Sequence, residues 1–291
     1  MVGLSPAAYR RVTFVALTLL GVIVVTGALV RLTGSGLGCP QWPNCDTGHL
    51  APHGDTGYHG FVEFTNRVFT GGVSLAVIVA VLGSVIRRPR RSDLTVLSCG
   101  LVVGVIAQIV LGGLTVIYGL SPPWVMAHFL VSMLLVADAV VLHHRAGIEG
   151  PRAPVVSDRV RLLSRVLIVL APAALVTGTV VTGTGPHGGD ADVERFGFSV
   201  SNVARVHGIT VNLFLAAVLV IVWMLGREHA KPTVRHNANV LLAVLCSQAT
   251  IGYMQYFSGV PVLLVAVHIV GAVAVWVATL HFVLNLVELR G

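Results

Sequence analysis

Long apolar stretches alternate with short polar connections along the whole chain. Eight of them are long enough to cross a bilayer, at 12–32, 66–86, 96–117, 124–143, 163–183, 204–225, 238–257 and 262–285. A helix needs roughly 17–25 mostly apolar residues to traverse the hydrocarbon core, where lipid offers the backbone no hydrogen-bond partner. The pattern therefore predicts an all-α membrane protein with eight transmembrane helices. Arg10 and Arg11 in front of the first stretch give it the charge layout of a signal peptide, but its about twenty apolar residues predict an uncleaved span.

The polar positions inside these stretches repeat. Gln108 and Gly112 recur as Gln248 and Gly252, and His128 recurs as His268, all at an offset of 140 residues. Thr26-Gly27 recurs as Thr177-Gly178, and Thr33-Gly34-Ser35-Gly36 as Thr182-Gly183-Thr184-Gly185, with slightly larger offsets that imply small insertions. The openings of the second and sixth stretches align at an offset of 141, which sets Asn66 against His207 and Glu63 against Ala204. The chain thus divides into residues 1–150 and 151–291, each a four-helix unit. An even number of spans separates the copies, so two tandem four-helix bundles related by a pseudo-twofold axis along the membrane normal are expected.

Composition agrees with the pattern: 55% of the 291 residues are hydrophobic, 11% are charged and the mean hydropathy is +0.87. The net charge of +7 would fit nucleic-acid binding only if it were gathered on a recognition fold, and it is scattered over short loops. Arg10, Arg11, Arg87, Arg88, Arg90, Arg91, Arg145, Arg152, Arg159, Arg161, Arg165, Arg227, Lys231, Arg235 and Arg290 all fall on one side of the predicted topology. Only Arg31, Arg67, Arg195 and Arg205 fall on the other side or at its edge. Basic loops stay cytoplasmic, so a multi-pass protein of the cell membrane with both termini cytoplasmic is expected.

That orientation puts His128, His207 and His268 a few residues inside the outer ends of their helices, all at one depth. At 1.5 Å per residue His128 and His268 lie within roughly 10 Å of the outer boundary. Intramembrane ionisable residues are costly and usually face a bundle interior. Each histidine could simply bond across helices, but His207 and His268 occupy facing positions of one bundle, which suits axial ligation of a heme iron. Zinc fits less well, because no third and fourth ligand accompanies them. The first half offers His128 alone. Asn66 is a poor iron ligand, and Glu63 stands one turn before it on the same face, either as a proton carrier or paired i to i+4 with Arg67. His59 is a reserve ligand, and Arg31, Arg67 and Arg205 are placed either to meet heme propionates or to snorkel. Asp138 is an intramembrane acid with no evident partner. Cys39 and Cys45 share the first outer loop, where they form either a structural staple or a redox-active pair. Cys99 and Cys246, within helices, are expected to pack as small apolar residues.

The run Thr-Gly-Ala-Leu-Val-Arg-Leu-Thr-Gly-Ser-Gly-Leu-Gly-Cys-Pro-Gln-Trp-Pro-Asn-Cys at 26–45 resembles the first outer loop of heme A synthases. Glu63-Phe64-Thr65-Asn66-Arg67 is similar to that family's Glu-x-x-His-Arg element, and the later histidines match in order and spacing. The resemblance implies an eight-helix heme-dependent oxidoreductase that converts the C8 methyl of heme O to the formyl of heme A for cytochrome oxidase. It implies heme b as cofactor in the second half on His207 and His268, and substrate heme O in the first half with His128, Asn66 and the catalytic acid Glu63. Cys39 and Cys45 match family cysteines. Asn66 departs from the family's second histidine, and residues 186–201 lack a cysteine pair that some relatives carry. Besides heme O and the bilayer, the partners implied are an electron donor of unknown kind, a heme O synthase and a second copy of the chain. The competing reading is a membrane b-type cytochrome that only relays electrons; it fits less well because every candidate ligand lies toward one face. A transporter would explain the repeat but not the histidines.

Overall fold

The computed structural model of the chain describes residues 3–53, 57–150 and 152–289; Arg290 lies outside them. The eight helices are α1 (Pro6–Leu32), α2 (Gly57–Ile86), α3 (Ser92–Ile117), α4 (Pro122–Ala146), α5 (Asp158–Thr184), α6 (Val200–Arg227), α7 (Pro232–Phe257) and α8 (Val262–Leu284). All eight are long and apolar enough to cross a membrane. Most begin several residues before the apolar pattern does, and in α1 and α5 the added polar turn is capped by a side chain. Ser5 accepts from the Ala8 N–H with Pro6 in the first turn of α1, and Ser157 accepts from the Val160 N–H at the start of α5. The largest difference is at α2, which starts at Gly57 and so carries His59 and Glu63 within the helix.

Neighbour relations are the same in each half. α1 packs on α2 and α4, and α3 on α2 and α4; likewise α5 packs on α6 and α8, and α7 on α6 and α8. The halves meet through α1 with α8, α4 with α5 and α4 with α8. At the last of these seams the buried indole N–H of Trp276 donates to the Met133 carbonyl at 2.9 Å. The core runs through both halves and includes Leu20, Val77, Leu101, Phe214, Ile221 and Leu241. Large apolar side chains such as Leu75, Val103, Val169 and Leu263 point outward, as expected where lipid is the solvent. Cys99 and Cys246 do so too, which corrects the expectation that they pack inside: a thiol facing lipid loses little, so no burial is required.

Polar contacts gather the connections into two opposite ends. At one end Leu4 bridges to Arg87, the buried Arg87 guanidinium pairs with Glu149 at 2.5 Å, and Arg91 donates to the carbonyls of Arg145 and Ile148. A two-stranded antiparallel sheet, β1 (Arg152–Pro154) with β2 (Val287–Leu289), ties the α4–α5 connection to the segment after α8. Both ends of the described chain therefore lie at this basic end. At the opposite end Arg31 donates to the carbonyls of Thr182 and His187, the Gly36 N–H to the Gly189 carbonyl at 3.0 Å, and His187 Nε2 lies 2.7 Å from the Val260 carbonyl. The connection 186–199, which carries no cysteine, is thus held by hydrogen bonds to both of its neighbours.

Candidate functional site

His207 and His268 face each other in the second half. Their ring centroids are 6.5 Å apart with the planes inclined by 77°. Two metal–imidazole bonds of about 2.0–2.1 Å, plus about 1.1 Å from each nitrogen to its ring centre, add to roughly 6.3 Å, so the spacing suits two rings sharing one metal atom as well as a plain edge-to-face contact. His207 Nδ1 is 3.0 Å from the Thr177 hydroxyl, which leaves Nε2 as the ring nitrogen available for a metal. His268 Nδ1 is buried and finds no hydrogen-bond partner among the described residues.

Glycines make room for the rings. A Cβ built on Gly178 of α5 would stand 3.2 Å from Cε1 of His207, and one on Gly252 of α7 would stand 3.0 Å from Cε1 of His268. A side chain at either position would push its histidine off the helix it leans on. Gln248 Nε2 donates to the His268 carbonyl at 2.7 Å and so fixes the α7–α8 register at the level of the ring. The set of two facing imidazoles and two cleared helix faces fits an iron porphyrin.

The first half has the same frame with different side chains. Gly112 of α3 stands against His128, its built Cβ 3.4 Å from Cε1, and Gly27 of α1 stands against Asn66, 3.9 Å from Nδ2. Gln108 Nε2 donates to the His128 carbonyl at 2.9 Å, as Gln248 does to His268. His128 Nδ1 and Asn66 Oδ1 are buried without hydrogen-bond partners among the described residues. Asn66 therefore occupies the place of His207 relative to its glycine, and the first half presents one imidazole where the second presents two.

Glu63 is buried and held on both oxygens. Its Oε1 accepts from Arg67 Nε at 3.1 Å and from a second guanidinium nitrogen at 2.5 Å, while Oε2 accepts from the Cys39 N–H at 2.8 Å. The i to i+4 pair that the sequence allows is present. Arg67 also donates to the carbonyls of Cys39, Pro43 and Asn44, and Arg31 to those of Thr182 and His187. Both guanidiniums thus bind the connections at the end opposite the basic one, whereas Arg205 is exposed. Cys39 and Cys45 form a disulfide with a Cα–Cα distance of 4.1 Å, closing a loop that sits on the start of α2. His59 Nδ1 lies 2.8 Å from the Ser35 hydroxyl, so this histidine anchors the same loop. Asp138 packs its carboxylate against Gly100 of α3.

Sequence reasoning selected the histidines, Asn66, Glu63 and the cysteines, but not Thr177, the ring-facing glycines or Trp42, whose indole lies on Gly113. The internal repeat carried the missing signal for the glycines, since Gly27, Gly112, Gly178 and Gly252 are the residues that recur with the ligand positions.

The family model described as cytochrome oxidase assembly protein matches residues 10–187. The chain belongs to that family. Proteins named heme A synthase are similar over most of the chain. One from Alkalihalophilus pseudofirmus is 27% identical over 267 residues, covering 84% of each chain. One from Listeria welshimeri is 26% identical over 263 residues, covering 85% of each. One from Shouchella clausii reaches 33% identity over 175 residues, 58% of each chain. Similarity over so much of both chains in this cytochrome oxidase assembly family, and the pair of facing imidazoles, concern the same membrane-embedded frame.

Proposed function

We propose that this protein is a heme A synthase: an enzyme of the cell membrane that oxidises the C8 methyl group of heme O to a formyl group, giving heme A for cytochrome oxidase. The observation that carries the reading is the facing pair His207 and His268, with ring centroids 6.5 Å apart, which together would hold a heme, in a chain of this family. In this reading residues 151–291 hold heme b, and residues 1–150, related to them by a pseudo-twofold axis along the membrane normal, hold the substrate. Both termini are cytoplasmic and both sites lie toward the outer face, an orientation supported by the basic end described above.

Methyl to formyl is a four-electron oxidation that also takes up one oxygen atom and, with water as its source, releases four protons; heme b, when bound, would supply one-electron transfer to an external acceptor. The protein's own residues do the rest. His207 and His268 fix the cofactor, with Thr177 orienting the first ring. His128 would hold the substrate heme, and Asn66 stands where the second half has His207, so that the two halves differ where their chemistry must differ. Glu63, absent from the second half where Ala204 takes its place, is the acid assigned to the oxidation; Arg67 and the Cys39 N–H hold its carboxylate in one orientation. A redox-active part for the disulfide is not needed for this assignment.

The test is to purify the protein from cells that make heme O and to identify the extracted hemes by chromatography and mass spectrometry. Heme b together with heme O or heme A is expected. Heme b alone, unchanged when heme O is supplied, would point instead to a cytochrome that only relays electrons.

A further inference from the structure

Trp42 lies in the disulfide-closed loop, and its indole rests on Gly113: a Cβ built there would be 2.7 Å from Cδ2 and Cε2 of the ring. The preceding residue on α3, Gly112, faces His128. The indole and the substrate-side imidazole thus lean on successive residues of α3, at nearly one depth in the bundle but about 100° apart around the helix. The loop is held from the other side as well, since Arg67 on α2 binds the carbonyls of Cys39, Pro43 and Asn44. Segment 39–45 therefore spans from α2 to α3 over the outer end of the first half, with Trp42 as its contact on α3.

The second half lacks this arrangement. The position that corresponds to Gly113 is Tyr253, whose hydroxyl accepts from Asn212 Nδ2 at 3.3 Å, and its bulk leaves no flat backbone on which an indole could lie. Like Glu63, the pair Trp42 and Gly113 is confined to one bundle. Trp42 keeps 40% of its surface uncovered by protein, so the ring has apolar area left to offer a ligand.

We infer that Trp42 is the ceiling of the first-half site, a specificity-determining residue that lies against the porphyrin of heme O and shields it from the outer aqueous phase. The inference rests on the proposed function. An aromatic ring set against a porphyrin contributes buried apolar area and a stacking or edge contact, and its removal weakens binding by about tenfold or more. The disulfide and the Arg67 bonds keep the loop in register, and Gly113 allows the close approach.

The experiment compares wild type with Trp42→Ala, Trp42→Phe and Gly113→Ala, purified from cells that make heme O. Two quantities are read: the ratio of bound heme O to heme b, and the rate at which heme O passes to added apomyoglobin. Gly113→Ala leaves the indole in the chain but sets a methyl group where the ring lies. Heme b reports whether the second half is intact. The ratio is expected to fall about tenfold in Trp42→Ala and Gly113→Ala, with faster release, unchanged heme b per protein and near-complete rescue in Trp42→Phe. An unchanged ratio and release rate in Trp42→Ala and Gly113→Ala would overturn the inference, and so would loss of heme b in step with heme O, which marks a general loosening. Wild type that holds heme b but neither heme O nor heme A would instead overturn the synthase reading on which the inference depends.

Discussion

In the proposed heme b site the Thr177 hydroxyl on His207 Nδ1 would set which ring nitrogen faces the iron, and such partners typically alter metal affinity by 10- to 100-fold. Thr177→Val is expected to retain less heme b than wild type, whereas His207→Ala and His268→Ala lose it, as measured by heme extraction per protein. Glu63 allows a sharper separation of roles. Glu63→Gln keeps the shape and an acceptor for the Cys39 N–H but loses the charge facing Arg67. If charge is what the oxidation needs, Glu63→Gln and Glu63→Ala both accumulate heme O with heme b unchanged; full heme A in Glu63→Gln would limit the residue to holding the loop. The histidines and Glu63 were legible in the sequence because ionisable groups inside apolar stretches are conspicuous. Thr177 was not, because it repeats Thr26, and only the fold shows that, while both hydroxyls bond their own helices, that of Thr177 also meets an imidazole.

Helices present these residues through their glycine faces. With a built Cβ at 3.0 Å from the His268 ring, Gly252→Ala is expected to displace the imidazole and lower heme b content, and the change should appear in the visible spectrum before overall folding suffers. Gly208, which meets nothing within 4 Å, is the control that should tolerate alanine. On α2, Asn66→His places an imidazole opposite Gly27 as His207 stands opposite Gly178. Substrate heme in that variant is expected to turn six-coordinate and low-spin, read by electron paramagnetic resonance; an unaltered signal would show that position 66 does not face the iron. The helices themselves were legible from apolar length, and their starts less so. Hydropathy ends at the first arginine, whereas a helix continues until its N–H groups are capped, which is why α1 reaches back past Arg10 and Arg11 to Ser5. The short sheet β1 with β2 left no trace, since three-residue strands joined across the whole second half have no local signature.

For the molecule as a whole, the eight helices are tied at opposite ends by different chemistry. Cation-rich contacts around Arg87 and Arg91 close one end, and the backbone-bonded loops around Arg31, Gly189 and His187 close the other. Neither set was readable in advance, because each joins segments far apart in sequence and mostly through backbone carbonyls, which carry no side-chain signature. The charge asymmetry was readable, since it needs only the order of spans. It makes a prediction that the helix packing does not: the loop carrying Asp190 faces outward and the turn carrying Glu228 faces the cytoplasm. Asp190→Cys changes a half-buried polar residue and Glu228→Cys an exposed one. In a background lacking Cys99 and Cys246, a membrane-impermeant maleimide applied to intact cells stripped of any outer barrier should label position 190 at once and position 228 only after the membrane is permeabilised. The reverse pattern would place the histidines near the cytoplasmic face. Substrate oxidation would then occur on the side where cytosolic reductants act directly, and the disulfide of Cys39 and Cys45 would sit in a compartment that reduces such bonds. The labelling pattern therefore tests the orientation and the persistence of the outer loop together.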